Sequence, residues 1–489
     1  MDFIEYAPSC YNLKASFIFW LLGTGSIGRV NRRARFTIII VIVPLKGRND
    51  LTMTCSITLV NGHILADPAI PFVVPHGRTV ISGNRLAVVN AALESSPDPT
   101  AIDCSGCLIM PGLVNTHTHA AMSLLRGLAD DLPLERWLRD YIFPVEDRHA
   151  DREFVRVGTE LSATEMVLGG ITTFADGYFH MEEAATAALT VGMRAVIAQG
   201  ILDLPTPDAA AGNWLPRVTR FLKECPRGPL ITLALFCHSP YLCEPETFRQ
   251  ARALADDYGL PLFCHVAETE WEVNEIINRY GFSPVEYLSR LGVLGNGFIA
   301  VHAVYLTERE QELLAKTNTP VVHCPETNMK LASGVCPVQS LLEAGVIVGL
   351  GTDGPASNNN LDLFEEMRSA SYMAKLITRD PSALPAATLI RMATIDGAQV
   401  LGLAKEIGSL VPGKLADLIV VDFAKPHLTP VYEHCSHLVF SARASDVRDV
   451  IINGSLVVRE GKLLTIDPRE VVEKARFLAC RIREELKRN

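Results

Sequence analysis

A second CxxC is missing from this 489-residue chain: Cys104 and Cys107 form a lone pair, and a structural zinc site needs four ligands. The pair therefore reads as ordinary apolar filling. The twelve cysteines are otherwise scattered, without the dense spacing of a secreted disulfide scaffold, and such thiols suit a reducing cytoplasm. No excess of positive charge exists either. The net charge of −10 argues against a dedicated nucleic-acid binder. Long apolar runs are also lacking. "ASFIFWLLGTG" and "FTIIIVIVPL" are separated by the basic "RVNRRARF", and each falls short of the ~18–20 residues of a membrane span, so no membrane partner is expected. The chain shows no short-period repeat and no low-complexity tract. What is present is 48% hydrophobic and 20% charged residues, the composition of a folded globular protein with a large core. The length fits one barrel of roughly 250–300 residues plus a smaller domain.

Residues 1–52 differ from the rest. The start carries Asp2 and Glu5, and no clean small-residue cleavage site follows, unlike a secretory signal. "GTGSIG", Gly23 to Gly28, matches GxGxxG after an apolar run, but no acidic residue occurs between Gly28 and Asp50 and no further βαβ unit follows. The match is read as chance. Organised pattern begins at "CSITLVNGHIL", so residues 1–52 are expected to be an atypical, non-native extension, with Met53 the true start.

From residue 53 the reading is regular. Short strands with Gly and Asn turns occupy 53–110 and return over 405–466, so both ends of the chain are expected to build one small β-sandwich domain. Residues 467–489 read as a C-terminal helix. Over 111–404, eight apolar runs alternate with helical segments: "GLVNTHTH", "GITTFADG", "RAVIAQG", "ITLALFCHSP", "PLFCHVAE", "GFIAVHAV", "TPVVHCPE" and "VIVGLGTDG". That alternation predicts an α/β fold, a (β/α)8 TIM-type barrel. Polar residues cluster at the ends of these runs: His117 and His119 at the first, His238 at the fourth, His265 at the fifth, His302 at the sixth and Asp353 at the eighth. A barrel gathers its active site at that end of its strands.

Alternate residues of a strand share a face, so His117 and His119 project together and Thr118 points away. Two imidazoles on one side chelate a cation. His265 and Asp353 complete an N/O set suited to Zn²⁺ or Fe²⁺ with a position left for water.

With these residues in place the chain resembles the amidohydrolase superfamily, within it the branch of 5-methylthioadenosine/S-adenosylhomocysteine deaminases, guanine and cytosine deaminases and triazine hydrolases. The resemblance runs from about Ser56 to about Ile466. It is carried by "MPGLVNTHTHAAMSLLRGLADDLPLERWL", "HSPYLC", "HVAET", "HCPETNMKLASG", "GTDGPASNNNLD" and "IGSLVPGKLADLIVVD". It implies one divalent metal per chain, Zn²⁺ or Fe²⁺, held by His117, His119, His265 and Asp353. No lysine occupies the fourth run, "LFCHSP", so the family's bimetallic bridge is not expected. The resemblance makes Glu268 the proton shuttle, His302 the residue that orients the attacking water, and Asp353 both ligand and proton acceptor. Glu146 and His238 match substrate-contacting positions, and His323 either contacts substrate or is a satisfied core histidine. Asp130 and Asp131 follow the first strand by too far to ligate and read as part of a loop leading to Glu146. One departure concerns the substrate tail: the family's arginine after the third strand is absent, with no arginine between Arg194 and Arg217.

The activity implied is hydrolytic deamination of 6-aminopurine nucleosides: 5′-methylthioadenosine, S-adenosylhomocysteine or adenosine. Triazine hydrolysis, or guanine or pterin deamination, is the alternative on the same fold, and a non-catalytic binding role is a remote one. The absence of PCxxC excludes the unrelated zinc deaminases of cytidine and nucleic-acid bases. A homo-oligomer is expected by analogy with the fold.

Overall fold

A computed structural model describes residues 15–18, 41–44, 56–91 and 100–486. The chain divides into two units, Met1–Thr54 and Cys55–Asn489. In the first, Ala15–Ile18 and Val41–Pro44 pair antiparallel. The "GTGSIG" segment and Met53 lie outside the described residues.

The second unit contains eight parallel strands, here β1 (Leu113–Thr118), β2 (Ile171–Tyr178), β3 (Arg194–Ile201), β4 (Ile231–Cys237), β5 (Leu262–Val266), β6 (Phe298–His302), β7 (Val321–His323) and β8 (Val348–Leu350), each hydrogen-bonded to the next in sequence order. Every one of the eight apolar runs is a strand. They are apolar on both faces because one packs inside the barrel and the other against helices. Val114, Val196, Phe236, Phe263 and Val301 fill the interior.

Side chains help to close the ring between β8 and β1. Thr116 Oγ1 donates to the Leu350 carbonyl at 2.7 Å. Asn115 accepts from the Thr352 N–H at 3.1 Å and donates to Thr352 Oγ1 at 2.8 Å. The approach is close enough to require glycine at 351: a Cβ there would lie 3.0 Å from both the Cβ and the carbonyl oxygen of His117.

A nine-stranded mixed sheet is contributed by both ends of the second unit. Leu418–Asp422 pairs antiparallel with Cys107–Pro111, which in turn runs parallel to Ser56–Leu65. This seam joins sequence more than 300 residues apart. Cys104 and Cys107 are buried in the sheet's core, as the apolar reading implied. They have an added partner, because the Arg448 guanidinium donates to both sulfurs at 3.4 and 3.3 Å. The helix Pro468–Leu486 closes the described chain and buries Val471, Ala475, Leu478 and Ile482, a 4-3-4 spacing that places one apolar stripe against the core.

Candidate metal centre and active-site cleft

The loops and strand ends at the carboxyl face of the barrel position the polar residues. His117 lies in β1 and His119 one residue beyond it. Thr118 does face away, and its Oγ1 donates to the Asp353 carbonyl at 2.8 Å. The spacer between the histidines therefore also anchors the backbone of the eighth strand's aspartate. His265 lies in β5, and Asp353 follows β8 by three residues.

The ligand atoms of His117, His119, His265 and Asp353 all fall within 4.8 Å of one another. Asp353 Oδ1 is 3.3 Å from His117 Nε2 and 3.4 Å from His119 Nε2. His265 Nε2 is 3.3 Å from His117 Nε2. His119 Nδ1 meets the Gly177 carbonyl at 2.5 Å, which takes the ring proton and turns the Nε2 lone pair inward. Burial drives His117 down to about 4, and drives His265 well below the usual histidine range. Both imidazoles are thus neutral. Burial opposes the charge of Asp353, but the close approach of His117 Nε2 and the neighbouring imidazoles hold its carboxyl well below the carboxylate range. Its Oδ1 is buried without a hydrogen-bond partner. Three imidazoles converging on one orphaned carboxylate oxygen match the donor set of a divalent cation.

Several residues here have left-handed backbones although they carry side chains: Asp353 at φ 56°, His302 at φ 72° and Ala267 at φ 52°. Such strain concentrates at functional sites. Glu268 is buried, and its pKa is raised well above the carboxylate range by burial and then by the charge of Asp353. Its Oε2 is 3.7 Å from His302 Nε2. His302 Nδ1 meets Asn328 Oδ1 at 3.1 Å, and Ser357 Oγ donates to Asp353 Oδ2 at 3.0 Å.

These residues open onto a cleft of about 680 Å³. His119, His238, His265, Glu268, His302, Asp353 and Glu146 all line it. Glu146 lies on the helix Phe143–His149, accepts from Tyr178 OH at 2.6 Å, and is pushed by burial up to about 7 against that hydrogen bond. Leu134, Trp137, Leu138 and Phe143 supply an apolar wall. His323 is not in the lining; it is buried at the end of β7 with Nδ1 unpartnered. Asp130 salt-bridges Lys330 at 2.6 Å, tying the loop after β1 to the helix after β7. Arg194 and Arg217, which flank the arginine-free stretch, are both committed elsewhere: Arg194 to Asp417, and Arg217 to Glu182 and Asp208. Sequence reasoning did not single out Tyr178, Asn328, Ser357 or Glu272. Only Glu272 carried a local signal, the T-x-x-E pattern that begins at Thr269.

Fold and site together define a class: barrel hydrolases that work with a metal bound at the carboxyl ends of their strands. The chain belongs to the amidohydrolase family, a metal-dependent group whose model matches residues 108–457. It is 46% identical over 430 residues to a 5-methylthioadenosine/S-adenosylhomocysteine deaminase of Syntrophobacter fumaroxidans, covering 87% of this chain and 98% of that one. It is 44% identical over 411 residues to a 5′-deoxyadenosine deaminase of Methanothermobacter thermautotrophicus, covering 84% and 95%. Among solved structures, a zinc-bound adenosine deaminase from Xanthomonas campestris superposes with a TM-score of 0.85 at 37% identity, covering 88% of this chain and 99% of that one.

Proposed function

We propose that the protein is a hydrolytic deaminase of 6-aminopurine nucleosides, releasing ammonia and the inosine-type product. The observation that carries this reading is the placement of a buried, protonatable Glu268 beside the His117, His119, His265 and Asp353 cluster, in one apolar cleft. Its relatives named for 5-methylthioadenosine, S-adenosylhomocysteine and 5′-deoxyadenosine support the substrate class. One divalent cation per chain, Zn²⁺ by the histidine-rich donor set, is held by the four clustered residues and supplies the Lewis acidity that makes water nucleophilic at neutral pH.

The residues divide the remaining work. Glu268 donates its proton to the ring nitrogen beside the carbon under attack, which makes that carbon electrophilic. Asp353 receives a proton from the attacking water, and His302 orients that water. The water oxygen bonds to that carbon, the C–N bond breaks as the amino group takes the proton held by Asp353 and leaves as ammonia, and the added hydroxyl returns its proton to Glu268. Glu146 accepts from the ribose hydroxyls, as a carboxylate with two acceptor oxygens does, and His238 closes the substrate's other side. No Lys or Arg lines the cleft among the described residues, so a charged homocysteine tail gains no ion pair, whereas a methylthio or methyl group matches the Leu134, Trp137 and Phe143 wall. Unpaired thiols among the described residues, nine of ten buried, support a reducing compartment such as the cytoplasm. A homo-oligomeric state is supported by analogy of fold alone. No helix of the described residues is long and apolar enough to cross a membrane.

The test is loss of the adenine absorbance band across a panel of nucleosides, free bases and triazines. The expected order places 5′-methylthioadenosine and 5′-deoxyadenosine above S-adenosylhomocysteine in kcat/KM. Turnover of guanine or a triazine with none of any adenine nucleoside refutes the reading.

A further inference from the structure

A fourth carboxylate lies behind the cleft and has no part in the chemistry above. Glu272, 1% exposed, sits in the first turn of the helix Glu270–Tyr280. Its oxygens accept separately: Oε1 from the Ala267 N–H at 2.9 Å and Oε2 from the Glu268 N–H at 2.8 Å. Its own N–H donates to Thr269 Oγ1 at 3.1 Å. In an ordinary capping box the glutamate returns to the amide of the capping residue. Here it reaches further back, into the turn that carries Glu268.

That turn needs external support. Ala267 has φ 52°, a conformation that strains a residue with a Cβ. Ala267 and Glu268 are buried, and a buried N–H left without an acceptor is destabilising. The Ala267 carbonyl accepts from the Val304 and Tyr305 N–H groups at 3.0 and 2.9 Å, just past His302. One peptide segment therefore links the ends of β5 and β6 behind Glu268 and His302.

We propose that Glu272 is a positioning residue: it holds the left-handed turn at Ala267 and so aims the Glu268 carboxyl into the cleft. The part concerning Glu268 rests on the proposed deaminase reading. Only a carboxylate offers two acceptors and no donor. Glutamine turns an NH2 group against one of the two backbone amides.

The test compares wild type with Glu272→Gln in zinc content, steady-state kinetics on 5′-methylthioadenosine and amide hydrogen exchange across residues 265–270. In the wild type the Ala267 and Glu268 amides exchange slowly. In the variant they exchange at least about tenfold faster, zinc content and KM stay within about threefold, and kcat falls by roughly 10–100-fold, the scale of a misplaced catalytic group. Wild-type kcat in the variant overturns the proposal, as does a kcat loss with unchanged exchange. Fast exchange of both amides in the wild type also overturns it, and needs no variant. If the wild type deaminates no adenine nucleoside, the functional reading has failed, and the exchange measurement still judges the turn.

Discussion

Replacing Glu268 by glutamine isolates the proton from the shape of the side chain. Burial and the neighbouring Asp353 raise this carboxyl well above its ordinary range, which favours the acid form. Glutamine then changes neither volume nor net charge, and the ligand cluster of His117, His119, His265 and Asp353 is untouched. Zinc content is expected to stay at the wild-type level and Tm within about 2 °C, because an isosteric neutral swap creates no cavity and no unpaired charge. What is lost is the transferable proton. Positioned general acids contribute roughly 10²–10⁴ in rate, or about 3–5 kcal/mol of barrier, and kcat is expected to fall by that factor. The pH dependence has a definite sign: a raised pKa leaves the acid form populated at lower pH and removes it as pH rises through the shifted value. The wild type therefore loses kcat on its alkaline side, and the residual activity of the variant lacks that limb. The assay is disappearance of the adenine band, with metal analysis and thermal melts alongside. A kcat within threefold of wild type refutes Glu268 as the proton carrier, and a loss of metal or a large drop in Tm makes its role structural instead.

Stripping the protein with a strong chelator should abolish turnover, lower Tm and leave the chain rescuable by Zn²⁺, since an orphaned Asp353 Oδ1 and three imidazoles are then left facing one another; turnover undiminished after complete removal, checked by elemental analysis, would be incompatible with the site. Glu146→Gln should raise KM for adenosine roughly tenfold with kcat within threefold. Because Glu146 is pushed up to about 7 by burial, its carboxylate forms as pH rises through that value. The wild-type KM should therefore fall between about pH 6 and 8 while that of the variant stays flat; parallel profiles would remove Glu146 from substrate binding. Arg217→Met leaves Glu182 and Asp208 buried without the guanidinium that bonds them at 2.6–2.8 Å. Such a broken pair costs about 3–5 kcal/mol, and calorimetry should show Tm lowered by roughly 3–5 °C; a shift under about 1 °C would show that the network is not holding this wall of the barrel.

Much of the architecture was readable in the primary structure because its physics is local. A strand covered on both faces must be apolar along its whole length, so eight such runs separated by helical segments announced the barrel, and "NTHTH" announced two imidazoles on one face. The strands at both ends of the unit were readable from short strand-like runs set off by Gly and Asn turns. The chain alone could not say that His265, 148 residues from His117, would bring its Nε2 to 3.3 Å from the Nε2 of that residue, nor that Thr118 would hold the backbone of Asp353. Asn328 and Ser357 were silent because their sequence context is that of any polar loop, and they matter only through His302 and Asp353. Glu272 showed a capping pattern, yet which amides it would satisfy depended on the left-handed turn at Ala267. Nor did two arginines at 194 and 217 reveal that both are bound to buried acids and do not line the cleft. Local pattern thus determined which segments are strands and which residue types stand at their ends. The closing of the barrel decided which of those ends meet, because burial, neutral imidazoles and an unpaired carboxylate oxygen arise only where distant strands exclude water together.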